Sequence, residues 1–182
     1  MEEMIEVVDA SETFSLRHSV LGRGRVPADV AARDDSHPDA GHFAVRMGGV
    51  VVATGTVRRR QAPSGGSGPH WQIRGMAVAP ALRGRGLGSA VLLSLLDHVA
   101  VRGGGLVWCH VRIAAKSLYE RHGFVPQGRP LEDAVAGVQL FMSRTMAPRS
   151  THEVVHQQSA VMSDSPSPPS ERETGSRRRR MP

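Results

Sequence analysis

The sequence predicts a mixed α/β fold in which helices cover both faces of one sheet. Three observations support this prediction. Short runs rich in β-branched residues indicate strands, and segments with helix signals lie between them. Apolar residues make up 40% of the 182-residue chain, which is enough to build the core of one domain. The order of the elements is typical of a sheet with helices packed on it.

The elements follow from local patterns along the chain. The predicted strands are 4–8, 42–47, 50–58, 70–79, 106–111, 124–125 and 136–146, and the predicted helices are 11–21, 89–100 and 113–122. Gly48-Gly49 between two strands is a hairpin signal. Gly123 fits the position after a helix end. Pro126 is expected to interrupt its strand, because proline donates no N–H to a ladder.

The chain is organised around residues 76–100, which read as strand, glycine- and arginine-rich loop, and helix. Pro80 closes the strand, and a glycine triplet at 103–105 ends the helix. The helix carries an apolar stripe at 3.6-residue spacing, formed by Val91, Leu92, Leu95, Leu96 and Val99. We therefore expect this helix to pack on the sheet along that stripe.

The loop before this helix, residues 83–88, suits an anion. Its glycines let backbone approach a ligand, and the first amides of a helix have no partner within it. The helix dipole adds positive charge there, and Arg83 and Arg85 add forked donors that match phosphate oxygens. The spacing alone also fits an ordinary strand-to-helix turn with solvated arginines.

Charge and composition indicate one domain with an extension. The net charge of +6 fits an anionic ligand or partner, and by itself it does not indicate nucleic-acid binding. After Met146 the sequence is rich in Ser, Pro and charge and lacks apolar periodicity. We predict a folded domain at 1–146 and a disordered tail at 147–182, in which the four arginines at 177–180 are solvated; contact with nucleic acid or an acidic surface is the alternative.

Cysteine use and the terminus bear on the compartment. The single cysteine, Cys109, lies in an apolar run, so we expect buried packing and no internal disulfide. The N-terminus lacks a signal-peptide pattern, and no apolar run reaches membrane-spanning length, so we expect a cytoplasmic protein. Asp34, Asp35, His37 and Asp39 lack zinc-site spacing, so we predict a solvated loop and no metal site.

Two separated motifs resemble those of one family. Arg83, Gly86 and Gly88, directly after an apolar strand, resemble the acyl-CoA loop of the GCN5-related N-acetyltransferase (GNAT) family. Residues 112–124 resemble the second signature of that family, at its order and spacing, and a weaker resemblance covers 6–146. The resemblance implies a mostly antiparallel sheet whose central parallel strands, about 71–79 and 106–111, splay apart where the cofactor enters.

The same resemblance implies an N-acetyltransferase that moves the acetyl group of acetyl-CoA directly to a primary amine of a small molecule or protein. A non-catalytic acyl-CoA-binding sensor is the alternative. A nucleotide-binding domain is disfavoured, because no Lys-Ser or Lys-Thr pair follows the loop. The sequence does not identify the acceptor. Dimers are common in the family, so a homodimer is a compatible assembly.

Site residues follow from the resemblance by position. It implies that acetyl-CoA is held by Met76, Ala77, Val78, Arg83, Gly84, Arg85, Gly86, Leu87, Gly88, Ser89 and Arg112. Tyr119, the only tyrosine, stands where the family carries its thiol-side proton donor. We predict that role, and core packing beside Phe124 is the alternative. Trp71 and Trp108 either border the acceptor pocket or pack in the core. A water chain, or one of the following residues, would take the amine proton: His110, His70, Glu132 or Asp133.

Overall fold

The computed structural model describes residues 5–22, 37–134 and 137–149. Within these residues seven strands form: β1 (Ile5–Val7), β2 (Gly41–Met47), β3 (Val50–Arg59), β4 (His70–Val78), β5 (Gly105–Arg112), β6 (Val125–Asp133) and β7 (Gly137–Met146). The same residues form three α-helices: α1 (Phe14–Leu21), α2 (Leu87–Val101) and α3 (Lys116–Arg121). Short 3-10 turns precede each helix, at Ala10–Thr13, Pro80–Leu82 and Ile113–Ala115. In this part of the chain no helix is long and apolar enough to cross a membrane.

The strands form one sheet in the order β1-β2-β3-β4-β5-β7-β6. Every neighbouring pair is antiparallel except the central pair β4–β5, which is parallel. A connection between parallel neighbours has to cross over the sheet, and α2 makes that crossover. The predicted mixed α/β fold, with a mostly antiparallel sheet and one central parallel pair, is confirmed.

The main core lies on the face of the sheet that α2 covers, called here the α2 face. All five residues of the predicted apolar stripe are buried there, and none is more than 3% exposed. They pack against alternate residues of the strands, including Val57, Ile73 and Val107. Burying apolar area of this kind contributes about 25 cal/mol per Å² and stabilises α2 on the sheet.

The opposite face, called the α1 face, is more polar. Ala44 and Ala77 are buried outside the main cluster and lie in register with Thr54, which is also fully buried. Helix α1 packs on β3 and β4. Its Leu16 is buried outside the main cluster as well, so helices lie on both faces of the sheet.

Strand β4 contains a bulge at Gly75. Register with β3 slips between Thr54 and Thr56, so that Gly75 and Met76 together oppose Gly55. Gly75 has φ +61°, a left-handed conformation that glycine adopts at little cost. A Cβ there would lie 2.8 Å from Nε of Arg17, which is 1% exposed on α1. The bulge therefore brings the β4 backbone against a buried side chain of α1.

One expectation about β6 is wrong. Pro126 does not interrupt a strand, because β6 continues to Asp133 and Pro126 pairs in register with Met142. The strand tolerates proline because it is the outer strand of the sheet, where one row of backbone groups has no ladder partner. Irregularity appears later, where the register slips between Gln127 and Leu131.

Other expectations lie partly or wholly outside the described residues. These are the start of the first strand at Met4, the start of the last strand at Ala136, most of the polar loop 22–40 with Asp34 and Asp35, and the tail from 150 onward. The remaining predicted boundaries agree with the structure within about two residues, where the 3-10 turns before α1 and α3 are counted with those helices. The hairpin at Gly48-Gly49 has both glycines at positive φ, as a tight turn of this kind requires.

Candidate active site

A gap opens in the middle of the sheet. Strands β4 and β5 pair at only three positions, the last joining Gln72 to Trp108. Beyond them β5 stays paired with β7 along its whole length, up to Arg112 opposite Gln139. The β4 segment 73–78 therefore has β3 on one side and no strand on the other. Its backbone groups on the open side are available to an extended ligand.

The N-terminus of α2 lies at the end of this open segment. Gly86 precedes the helix at φ +87°, and no side chain caps the first turn. The first helical amides, those of Leu87, Gly88 and Ser89, have no carbonyl partner inside the helix. Leu87 is 1% exposed, and its side chain packs in the main core. The predicted anion site is thus a set of backbone donors with the helix dipole behind it.

The two arginines of the loop are exposed. Arg83 follows the 3-10 turn, and its Nε donates to the Val78 carbonyl at 3.4 Å. This contact holds the loop against the end of β4 and leaves most of the guanidinium group in solvent. Arg85 lies between Gly84 (φ +76°) and Gly86, both in the left-handed region. Both arginines therefore belong to the loop that leads into α2, and their contact with an anion stays a prediction.

Three elements meet closely at Gly88. A Cβ there would lie 3.4 Å from Leu118 of α3 and 3.7 Å from Val78 of β4. The absence of a side chain lets the first turn of α2 approach both neighbours. The predicted backbone contacts of β4 lie here too: Met76 is half-buried, Val78 adjoins the loop, and Ala77 lies opposite Thr54 in the β3 ladder.

Tyr119 lies on the α2 face, in the main core cluster, and is 5% exposed. Its ring packs edge-on against Phe124, with ring centres 5.5 Å apart. Burial raises the pKa of Tyr119 well above its ordinary value, and the neighbouring Cys109 thiol adds to the rise. The phenol is therefore protonated at neutral pH. Cys109 is the first β5 residue after the last β4 pairing, so Tyr119 lies beside the gap.

The other predicted residues lie at several places. Arg112, half-buried, ends β5 at the start of the turn into α3. His70 is buried at the opposite end of β4, where its Nδ1 accepts the Ala62 amide at 3.0 Å. That position is remote from the open segment. Glu132 and Asp133 are exposed at the end of β6. Among the base candidates, His110 lies on β5, two residues past the last pairing.

On the α1 face near the gap, side-chain hydrogen bonds join β3, β4 and β5, and the sequence did not indicate them. Gln72 accepts hydrogen bonds from Nε (3.1 Å) and Nη2 (2.8 Å) of Arg58, which is 4% exposed. The Trp108 indole N–H donates to the Arg60 carbonyl at 2.9 Å. Trp108 is 2% exposed and Trp71 is fully buried, so both tryptophans serve mainly as core. These hydrogen bonds depend on the register between strands, which the pattern of a single strand does not reveal.

Phe141 is a second residue that sequence reasoning missed. It lies opposite His110 in the β5–β7 ladder, and the rings of Trp108, His110 and Phe141 contact one another with centre distances of 5.7–5.8 Å. The structure offers no candidate metal centre in the part of the chain that it describes. Within those residues no group of three or more His, Cys, Asp or Glu side chains is arranged to hold a metal ion.

Residues 9–124 match the profile of the Acetyltransferase (GNAT) family. No curated protein sequence matches the chain. Among solved structures, an aminoglycoside 6'-N-acetyltransferase complexed with coenzyme A is similar with a TM-score of 0.62 at 16% identity, covering 81% of this chain and 99% of its own.

Two further structures have the same fold. The ribosomal-protein-S18-alanine N-acetyltransferase from Escherichia coli has a TM-score of 0.62 at 19% identity, over 82% of this chain and 97% of its own. FeeM, an N-acyl amino acid synthase from uncultured soil microbes, has a TM-score of 0.65 at 10% identity, over 79% and 91%. At such identities the likeness concerns the fold.

Proposed function

The chain belongs to the GNAT family of acetyltransferases, and we propose on this basis that it transfers the acetyl group of acetyl-CoA directly to a primary amine. Enzymes of this family use acetyl-CoA as their co-substrate. The observation that carries the proposal is the meeting of two features at one place. The open edge of β4 ends where three unpartnered α2 amides and two exposed arginines begin.

These features fit the two halves of acetyl-CoA. The diphosphate is an anion, and helix N-termini with nearby arginines bind such groups through charge-assisted hydrogen bonds. The pantetheine arm carries amides in a row, and we assign their hydrogen bonds to the open backbone at Met76–Val78. Gly88 brings the first turn of α2 close to Val78, at the end of the open segment. Arg112 is assigned to the same ligand from the end of β5.

The transfer needs charge stabilisation and a proton for the departing sulfur. As the amine attacks, the thioester oxygen becomes negative, and we assign its stabilisation to a backbone amide of the open β4 segment. We assign Tyr119 as the acid that protonates the thiolate. Its phenol is neutral because burial raises its pKa, and it lies beside Cys109 at the gap. A protonated donor is what this step requires.

The first test separates catalysis from binding. Calorimetry with CoA measures binding to the α2 site, and release of free thiol from acetyl-CoA with a panel of alkyl, aryl-alkyl and peptide amines measures transfer. We expect both signals. Heat of binding without amine-dependent thiol release would leave an acyl-CoA-binding module, and no heat of binding with folded protein would refute the proposed site.

The second test concerns Tyr119. Tyr119→Phe removes the proton and keeps the ring that packs on Phe124. We expect kcat to fall about 100-fold, in the range that general-acid catalysis contributes, with CoA affinity unchanged. Phe124→Leu is the matched control, because it disturbs the same packing without touching the phenol. Unchanged turnover in Tyr119→Phe would show that Tyr119 is only a core residue.

A further inference from the structure

Strand β5 presents different side chains on its two faces beside the gap. Consecutive residues of a strand point to opposite faces. Cys109 contributes to the core on the α2 face, where Tyr119 lies. His110 therefore points to the α1 face, two residues past Trp108, where the pairing with β4 ends. The Tyr119 phenol, which can donate a proton, thus lies on one side of β5, and His110 lies on the other.

The His110 ring is positioned by contacts that leave its nitrogens free. Trp108 and Phe141 meet it with ring centres 5.7 and 5.8 Å away, and all three belong to the α1 face of the β5–β7 ladder. Within the described residues neither ring nitrogen has a hydrogen-bond partner, and the residue is exposed. Packing without hydrogen bonding orients a base and keeps its lone pair available.

The charge state also suits a base. Burial of part of the ring lowers the pKa of His110 below its ordinary value of 6.5, and no charged neighbour contributes to that shift. On the same face, Arg112 lies two residues further along β5, and Arg74 lies two residues past Gln72 on β4. The imidazole is therefore neutral at pH 7 and can accept a proton.

We propose that His110 is the general base of the acetyl transfer, taking a proton from the acceptor ammonium on the α1 face; this rests on the proposed function. His110 removes one proton, and the nitrogen lone pair forms the C–N bond. The C–S bond then breaks, and the thiolate takes the Tyr119 proton. The second nitrogen proton restores Tyr119, and His110 loses its own to solvent, so one proton is released per acetyl group.

Two substitutions separate the proton-accepting role of His110 from its packing against Trp108 and Phe141. His110→Phe keeps an aromatic ring between Trp108 and Phe141 but has no lone pair, and His110→Gln keeps polarity but not basicity. The control is His37→Gln, an exposed histidine outside the gap. For all four proteins we would measure kcat and KM with an alkyl amine that the unchanged protein acetylates, from pH 5.5 to 9.5, and CoA affinity by calorimetry.

We expect both His110 variants to lose about 100-fold in kcat at pH 7, with CoA affinity unchanged. Their rates should rise about tenfold per pH unit up to pH 9, because only amine already deprotonated in solution reacts. The unchanged protein and His37→Gln should level off above pH 7. A His110→Phe variant with full rate and a plateau would overturn this inference alone, whereas absence of transfer by the unchanged protein would overturn the proposed function as well.

Discussion

Replacement of Gly75 by alanine tests whether the β4 bulge is held by its fit against α1. Gly75 has φ +61°, and alanine pays about 1–2 kcal/mol to adopt a left-handed conformation. Its Cβ would lie 2.8 Å from Nε and 3.0 Å from Cζ of Arg17. Arg17 is 1% exposed, so it has no free space into which to move, and overpacking of this kind costs about 1–3 kcal/mol.

The matched control is Gly48→Ala in the β2–β3 turn. Gly48 has φ +57°, close to that of Gly75, but an added Cβ there would meet nothing within 4 Å. Both alanines stiffen the unfolded chain, which offsets about 0.4–1 kcal/mol. We therefore expect the free energy of unfolding to fall by about 3 kcal/mol for Gly75→Ala, within a range of about 1–4.6, and by about 0.8 kcal/mol for Gly48→Ala, within a range of about 0–1.6.

Urea unfolding of the three proteins, followed by far-UV circular dichroism, measures these differences. The mid-points should order as unchanged protein, Gly48→Ala, then Gly75→Ala, with similar slopes. If the two variants lose the same free energy, the contact with Arg17 contributes nothing and only the backbone conformation matters. That result would refute the claim that the bulge is locked by α1.

Three further outcomes are expected. Leu92→Ala, in the fully buried stripe, should lower the free energy of unfolding by about 2–5 kcal/mol, whereas Leu93→Ala, 53% exposed, should change it by less than about 0.5 in urea titrations. Arg85→Ala should weaken CoA binding about tenfold by calorimetry, more at low salt than at high salt, and Arg129→Ala should not. Burial, and then Arg102, lower the folded pKa of His98 below 6.5. The free energy of unfolding should therefore be full above about pH 6.5 and fall as the pH drops from there to the lower folded pKa, because the unfolded chain binds the proton first. Urea mid-points measured against pH should show a smaller fall for His98→Leu.

The fold could be predicted because its signals are local. The apolar stripe of α2 and the glycine pair of the β2–β3 turn each appear in a few consecutive residues, and each forms as expected. The error at Pro126 has the opposite origin. A proline ends a central strand but is tolerated in an outer one, and the position of a strand in the sheet is decided by distant pairings.

Some residues of the candidate site could likewise be predicted from the sequence, and others could not. The loop arginines and glycines are contiguous, so their place before α2 was visible in the sequence. The ring cluster of Trp108, His110 and Phe141 joins two strands more than 30 residues apart, and the Arg58–Gln72 contact depends on the β3–β4 register. The roles assigned to Tyr119 and to the CoA contacts stay predictions, as does a homodimer.

The outer strand β6 has a consequence for self-association. An unpaired strand edge normally presents alternating N–H and C=O groups that can recruit another chain. Pro126 and Pro130 remove two of these donors, and the register slip between Gln127 and Leu131 breaks the regular spacing of the rest. Two copies of this protein would therefore join their sheets poorly through the β6 edge. Pairing of copies through this edge would have to rely on side chains rather than on shared backbone ladders.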